Sequence, residues 1–331
     1  MIARFGAVVL PAAMLAVMLA VVVLSYLPPP AAWAWAALAA LVVLGAAGAA
    51  VALSRSPLPP RPRMVDVVCA TAATAATLVL SRDLGIPGLV AASLVLVALG
   101  VAVRPGRAID EQASRAGYAG VFVGLISPDV TIWSGWVVLA GATAGVLWGL
   151  IGAGPMTGIG GRIGLVGFMA SALAYWIADV LGDRGGALLL PPDGGLAEWV
   201  ITPVGCAAAL IGWVLFTRTT LPLVTVIGLP SLAVCGAIAM SDMGQPGVAL
   251  ASTWFGGMAI AATTGARLPH AGWIAVAGLV YGGMMVRYEG PLQGHVGVLG
   301  VVATIAVLAT MGARWALQRW APRLPGQTGV P

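Results

Sequence analysis

The sequence predicts an all-α integral membrane protein, and three of its features lead to that fold class. Hydrophobic residues make up 60% of the 331 positions, charged residues only 8%, and 46 positions are glycine. A soluble domain carries roughly 25% charged residues, so this chain has too few to cover a surface in water. Long apolar runs, separated by turns rich in Pro and Gly, then divide the chain into helices.

The apolar runs give the number of helices. A bilayer core about 30 Å thick needs roughly 20 residues per helix. By this measure the chain has about twelve spans, at 4–27, 31–53, 64–81, 86–103, 116–127, 133–152, 163–181, 198–217, 219–239, 246–264, 269–288 and 295–318. The runs 116–127 and 246–264 are short or interrupted. We expect 4–27 to be a retained helix because its apolar core is long, with a signal peptide as the alternative.

The arginines predict the orientation of these spans. All sixteen basic residues are Arg, and a cytoplasmic N-terminus with twelve crossings places all but Arg82, Arg184 and Arg287 on the cytoplasmic side. This is the positive-inside pattern. We therefore expect a bacterial-type inner membrane protein with both termini cytoplasmic and a cytoplasmic tail at 319–331. If the two weak runs were re-entrant and did not cross, the excess of arginines on the cytoplasmic side would be almost unchanged. The arginines therefore leave the geometry of these two runs open.

An internal repeat is visible in the sequence. The run GPMTGIGGRIG at 154–164 returns 136 residues later as GPLQGHVGVLG at 290–300, and both copies read GPxxGxxGxxG. Other residues recur at a similar distance: Gly120 and Gly256 at 136, and Cys69 and Cys206, Trp136 and Trp273, Gly141 and Gly278, and Gly145 and Gly282 at 137. Coincidence in a glycine-rich chain is the alternative.

The number of crossings between the two motif copies predicts their relative orientation. Five spans separate them, so the second copy enters the membrane upside down. We predict an N-terminal hairpin at 1–53, a five-helix repeat at 64–182, and an inverted five-helix repeat at 198–318. Inverted repeats are typical of transporters and channels, in which the solute path lies where the two units meet.

Two pairs of Gly- or Pro-interrupted segments, 116–127 with 252–264 and the two motif copies, are the candidates for this path. Glycines three apart allow close backbone approach, and Pro suits a helix start whose positive dipole end could face a solute. Close helix crossings without a path are the alternative. The candidate pathway residues are Gly117, Tyr118, Gly120, Phe122, Gly124, Ser127, Pro155, Thr157, Gly158, Gly161, Gly256, Gly257, Met258, Thr263, Thr264, Pro291, Gln293, Gly294, His295 and Gly297.

The few ionisable residues bear on the mechanism. Asp66, Asp179 and Glu198 lie within about one turn of predicted helix ends, and no acid lies in mid-span. Because coupled pumps commonly need a mid-membrane carboxylate, this favours a passive channel or uniporter. Arg162 and His295, inside the two motif copies, are candidates for a pore mouth. The alternatives are an interfacial anchor for Arg162 and a helix cap for His295.

The sequence carries no signature of an enzyme or of a bound cofactor. Cys69, Cys206 and Cys235 lie singly in apolar runs, which favours neither a disulfide framework nor a metal site. HExxH, GxSxG and GxxxxGK[ST] motifs are absent from the sequence. The arginines occupy short loops rather than one basic face. We expect no catalytic residues, cofactor, metal or nucleic-acid partner.

One stretch resembles a known family. GYAGVFVGL at 117–125 resembles the G-Y/F-N-G-x-L-V-G-L stretch of urea transporters, and FGGMA at 255–259 resembles a degenerate second copy. Ala119 stands where the family has Asn, and the two GPxx segments lack the second Pro and the Phe of the family's L-P-x-x-T-x-P-F. The resemblance implies two inverted five-helix repeats, a trimer, and a pore for a small neutral solute at the repeat interface.

From these observations we expect a permease or channel for facilitated passage of a small neutral polar solute, such as urea or another amide. Its partners would be the lipid bilayer, the solute and copies of itself. One alternative is a structural or assembly subunit of a larger membrane complex that transports nothing. A second is a coupled organic-anion transporter, for which Arg162 and the helix N-termini would bind the anion.

Overall fold

The computed structural model describes residues 39–40, 42–49, 62–103, 108–126, 134–151, 157–180, 198–241, 243–286 and 297–320. Within these ranges all regular structure is helical, which confirms the all-α prediction for this part of the chain. Residues 42–49 are helical. The further helices are α1 (Met64–Leu78, continued by a π-helical turn at Val79–Asp83), α2 (Gly88–Ala102), α3 (Ala108–Gly124), α4 (Ser134–Ile151), α5 (Arg162–Val180), α6 (Glu198–Arg218), α7 (Leu223–Ala239), α8 (Gly244–Ile260), α9 (Ala271–Val286) and α10 (Gly297–Trp320).

A helix occupies each of the ten segments predicted from residue 64 onward. The largest difference is α3, which begins at Ala108 rather than at 116. Its first turns contain Glu111 and Arg115, so a hydropathy criterion excludes them although they are helical. The predicted run 4–27 lies outside the described residues, and only 39–40 and 42–49 of the run 31–53 lie within them.

Four described helices are long and apolar enough to cross a membrane. They cover Met64–Asp83, Ser134–Ile151, Trp199–Arg218 and Val298–Arg319. Shorter apolar helices cover Gly88–Ala102, Arg162–Tyr175, Leu223–Ala239 and Ala271–Val286. Large apolar side chains are exposed on the outer surface, for example on α1 and α6. The length and apolar surface of these helices suggest a membrane protein; the orientation and the identity of the membrane stay predictions.

The helices form two groups, α1–α5 and α6–α10, with matching contacts inside each group. Helix α1 packs against α3 and α4, and α6 packs against α8 and α9. Helix α5 packs against α4, and α10 packs against α9. The two groups meet chiefly where α2 packs against α7 and α5 against α10. The α5–α10 contact positions the candidate site described below.

Glycine permits the close helix contacts inside each group. A Cβ atom at Gly120 of α3 would overlap the backbone of Ala70 in α1, and one at Gly282 of α9 would lie 2.6 Å from the carbonyl oxygen of Thr202 in α6. Thr74 also donates a hydrogen bond from Oγ1 to the Gly120 carbonyl at 2.8 Å. Small residues of this kind are what membrane helix interfaces require, because they let backbones approach closely.

Helix α10 is enclosed by protein. Of its most apolar window, 83% is buried. Residues 42–49 cover one side, where a Cβ atom at Gly48 would meet the backbone of Leu308 and one at Gly312 would meet the backbone of Leu44. An apolar helix that is buried on all sides is a core helix. The last described helix therefore forms the centre of the bundle rather than its edge.

Candidate functional site

The N-termini of α5 and α10 meet inside the bundle. A Cβ atom at Gly161 would lie 2.6 Å from the amide nitrogen of Thr304, and one at Gly164 would lie 2.6 Å from Cα of Gly300. Gly161 thus lies against both Gly300 and Thr304, and Gly164 lies against Gly300. The first turns of the two helices pack on one another. Both therefore bring the positive end of the helix dipole to this point.

The loop before α5, residues 157–161, is fixed to the end of α8. The amide of Gly161 donates to the carbonyl of Ala259 at 3.0 Å, and the amide of Thr264 donates to the carbonyl of Gly158 at 2.9 Å. Gly158 and Gly161 have φ values of 81° and 82°. Glycine adopts this left-handed conformation without steric cost, which explains why both of these motif positions are glycine. The loop is thereby held rigidly beside α8.

A cavity of about 80 Å³ lies between this loop and the neighbouring helices. By this measure a single water needs only about 10–15 Å³, so the cavity has room for several waters or one small solute. Helices α3, α5, α6, α7 and α8 contribute to its wall. Its polar lining consists of Arg115, Tyr118, Thr157, Arg162 and Thr264, and its apolar lining includes Phe216, Leu223 and Ala259. Thr157 and Thr264 are exposed and form the mouth, whereas Tyr118 and Arg162 are buried and form the base.

Arg162, the first residue of α5, is only 5% exposed. Its Nη1 donates to Oγ1 of Thr157 at 3.2 Å, and its Cζ lies 4.9 Å from the ring centroid of Trp148. Its Nε is buried without a hydrogen-bond partner. Within the described part of the chain, the ion pairs join other residues and Arg162 has no carboxylate partner. A buried guanidinium without a counter-charge is energetically costly, so this one marks the site.

Further positive charge surrounds Arg162. The charges of Arg115 and Arg267 are close enough to repel that of Arg162. Arg115 forms a loose ion pair with Glu111 at 3.7 Å, between side chains that are 35% and 54% exposed. Arg267 donates from Nε to the carbonyl of Thr157 at 3.2 Å. Two further arginines therefore lie beside the loop at 157–161.

Tyr118 of α3 supplies a second unpaired polar group. Its side chain is 1% exposed, and its hydroxyl is buried without a hydrogen-bond partner among the described residues. The ring stacks on Phe122 at 5.0 Å between centroids and meets Phe255 edge-on at 6.4 Å. Phe122 and Phe255 also contact one another. These three rings fill the space between α3 and α8.

A chain of polar contacts leads from Arg162 to a buried carboxylate. The Trp148 indole, which lies under Arg162, donates from Nε1 to the carbonyl of Gln112 at 3.1 Å, and Gln112 donates from Nε2 to Asp66 at 3.4 Å. Asp66 is fully buried and accepts two hydrogen bonds from Arg63, at 2.8 and 3.1 Å. Hydrogen bonding to Asp66 raises the pKa of the Arg63 guanidinium, against the opposing effect of partial burial. Arg63 therefore stays positively charged.

Several of the candidate pathway residues meet at this cavity, and others do not. Tyr118, Thr157, Gly158, Gly161 and Thr264 line it. Thr263 is next to it and accepts a hydrogen bond from the amide of Gly160 at 3.0 Å, and Phe122 and Met258 are fully buried. The other described candidates lie at helix contacts instead: Gly117 against Leu99, Gly120 against Ala70, Gly124 against Thr77, Gly256 against Tyr281 and Gly257 against Gly205.

The remaining candidates cannot be located at the cavity. Gly297 begins α10. Ser127, Pro155, Pro291, Gln293, Gly294 and His295 lie outside the described residues.

The sequence did not indicate Arg115 or Trp148 as site residues. Arg115 falls before the predicted start of its helix and was interpreted only as an orienting loop residue. The i, i+4 spacing of Glu111 and Arg115 is a signal that could have extended α3 towards the N-terminus. Trp148 lies within an apolar run, and no local spacing reveals that its ring meets Arg162.

No family model, curated protein or solved structure matches this chain. The resemblance of residues 117–125 to urea transporters therefore stays a prediction. The function is inferred from the chemistry of the cavity and from the helix packing around it.

Proposed function

We propose that this chain is a multi-pass membrane permease that passes a small polar solute between its two groups of five helices. The observation that carries the proposal is the cavity beside the loop at 157–161 and the first turn of α5. Helices of both groups form its wall, and its base holds a buried Arg162 and Tyr118 that each have an unpaired polar atom. A cleft with convergent polar groups on largely apolar walls is typical of a solute site.

Helix packing supports two inverted repeats at 64–182 and 198–318. Each contact within α1–α5 has a counterpart within α6–α10: α1–α3 corresponds to α6–α8, α1–α4 to α6–α9, α3–α5 to α8–α10, and α4–α5 to α9–α10. The pairs α2–α7 and α5–α10 join equivalent helices, as expected around a two-fold axis. The contact between the first turns of α5 and α10, at Gly164 and Gly300, agrees with an inverted repeat whose equivalent helices meet at such an axis.

The repeat also receives support from individual glycines, with one change of partner. Gly164 and Gly300 occupy the same position in the two motif copies and lie against one another. Gly120 packs on α1 at Ala70, and the residue that packs similarly on α6 is Gly257, which meets Gly205. The counterpart of Gly120 is therefore Gly257, 137 residues later, rather than Gly256.

The proposed cycle requires movement between the two groups. The cavity opens beside Thr157 and Thr264, which are exposed, while Tyr118, Phe122 and Phe255 fill the space between α3 and α8. Passage of a solute beyond the cavity therefore requires these rings to separate. Rocking of one repeat against the other is the usual way in which inverted-repeat transporters achieve this.

The alternative of a structural subunit has less support. Its partner would bind the glycine-containing helix faces. The faces at Gly120, Gly257 and Gly282 are already occupied by α1 or α6, and among the described helix glycines those that face open space include Gly236 and Gly283.

Flux measurements test the permease. Purified full-length protein in proteoliposomes should give stopped-flow swelling or tracer uptake above that of empty vesicles for members of a panel of small amides, polyols and carboxylates. Thr264→Trp should reduce that flux at least tenfold, because the indole covers the mouth of the cavity. Thr217→Trp, at an exposed position of α6, is the matched control and should retain it. Absence of flux for the whole panel, or equal flux for both variants, would exclude this pathway.

A further inference from the structure

We infer that the cavity binds a small oxyanion, with a short-chain carboxylate as the favoured class, and that Arg162 is the residue that holds it. The inference gives the substrate class of the proposed permease and rests on that proposal for transport. Binding itself can be tested without transport.

The charge of the site favours an anion. Arg162 is buried without a carboxylate partner in the described residues, and Trp148 contributes a ring face but no negative charge. Arg267 adds positive charge nearby, and so does Arg115, whose charge is partly balanced by Glu111 at 3.7 Å. A neutral amide brings one acceptor oxygen and no charge, so it would leave the guanidinium uncompensated. A carboxylate compensates it and matches the planar donor fork of Arg.

The unpaired hydrogen-bond donors of the site also favour an anion. Nε of Arg162 and the hydroxyl of Tyr118 are both buried without partners, and both residues line the same cavity. Buried donors nearly always have an acceptor, so two unpaired donors in one cavity indicate a ligand rich in acceptor atoms. The two oxygens of a carboxylate can accept from both side chains.

Backbone dipoles and apolar walls complete the site. The first turn of α5, from Arg162 to Gly164, lines the cavity, and helix amides at such a position favour negative charge. Phe216, Leu223 and Ala259 form an apolar wall. This wall suits the carbon end of a short carboxylate, and it strengthens the electrostatic attraction by excluding water.

Binding is tested with the full-length protein in detergent. Acetate, propionate, phosphate, sulfate and urea are titrated at constant ionic strength, with sodium chloride as the balancing salt, while calorimetry and the melting temperature report binding. Acetate or propionate should bind saturably and raise the melting temperature. Phosphate or sulfate as the tighter ligand would assign the site to inorganic oxyanions instead. Urea binding without anion binding would overturn the inference.

Variants identify the binding residue. Arg162→Gln should weaken anion binding at least tenfold, Tyr118→Phe a few-fold, and Arg162→Lys should fall between wild type and Arg162→Gln because it retains the charge but not the fork. Arg319→Gln is the matched control, since Arg319 also lies over a tryptophan, Trp315, but does not line the cavity; it should bind as wild type does. If Arg162→Gln does not fold, Arg162→Lys and Tyr118→Phe still test whether these side chains bind the anion. Unchanged affinity in the folded variants would overturn the role of Arg162.

The two proposals fail in different ways. Anion binding that depends on Arg162, without flux in proteoliposomes, would retain the site and exclude the permease. Flux that Thr264→Trp blocks, without anion binding by the wild type, would retain the permease and exclude the oxyanion.

Discussion

The two groups of five helices share their packing but differ in their polar residues. Apart from Thr264 and Arg267, which follow α8, the polar residues described around Arg162 belong to the first group, and the positions 137 residues after them carry no charge. The counterparts are Pro203 for Asp66, Ala249 for Gln112, Ser252 for Arg115, Phe255 for Tyr118 and Met285 for Trp148. The comparison indicates that both groups supply the framework, while the first supplies most of the polar side chains of the site.

Two buried tyrosines show the same contrast at the level of one atom. The hydroxyl of Tyr281 in α9 donates to the carbonyl of Ser252 at 3.3 Å, whereas that of Tyr118 in α3 has no partner among the described residues. A hydroxyl that serves only the fold has its hydrogen bond in the folded chain. The unpaired one is available to a ligand.

The largest expected effect tests the shared framework. Gly120→Leu and Gly257→Leu should each prevent accumulation of folded protein, because the side chain would overlap the backbone of α1 or α6; overpacking on this scale costs about 3 kcal/mol or more. Size-exclusion chromatography of detergent extracts measures it. Gly283→Leu, where a Cβ atom meets nothing within 4 Å, is the control. If only one of the two substitutions is harmful, the packing of the two groups is not equivalent.

An intermediate effect is expected for Asp66, the carboxylate that lies buried among the described residues of the first group. Asp66→Asn should lower the free energy of unfolding by about 1–3 kcal/mol, since it weakens hydrogen bonds that involve charged groups in a buried position. Glu111→Gln removes the charge from an exposed pair and should change it by about 0.5 kcal/mol or less. Denaturant titration in detergent compares them. Equal changes in the free energy of unfolding would mean that the hydrogen bonds of Asp66 stabilise the fold no more than an exposed ion pair does.

The smallest effect distinguishes the two tyrosines. Without ligand, Tyr281→Phe should destabilise the protein by about 1 kcal/mol because it removes a hydrogen bond, whereas Tyr118→Phe should be neutral or stabilising by up to about 1 kcal/mol because it removes an unpaired group. Thermal unfolding of the two variants side by side measures the difference. A larger loss for Tyr118→Phe would show that its hydroxyl has a structural partner.

The sequence predicted the helices better than it predicted the site. Apolar runs marked all ten helices from residue 64, because hydropathy depends only on local composition. The polar start of α3 was missed because Glu111 and Arg115 lower the hydropathy of a segment that is nonetheless helical. Motif glycines such as Gly158 and Gly161 were found through the repeated GPxxGxxGxxG pattern, and their left-handed backbone conformation explains why these positions are glycine. The sequence left open whether Arg162 faces the interior, because the positive-inside pattern explains a basic residue at this position equally well.

The contact between residues 42–49 and α10 joins the two ends of the described chain. The ribosome makes residues 42–49 before α10, and helices α1–α9 lie between them in the chain. This contact therefore forms only after all of these helices have been synthesised. Until α10 has been made, the surfaces around Gly48 and Leu44, which pack on α10 in the folded protein, stay uncovered. A chain that stops before Gly297 would therefore lack the centre of its bundle, and its earlier helices would present small-residue faces to the membrane. We therefore expect the helix at 42–49 to reach its final packing only after α10 has been inserted.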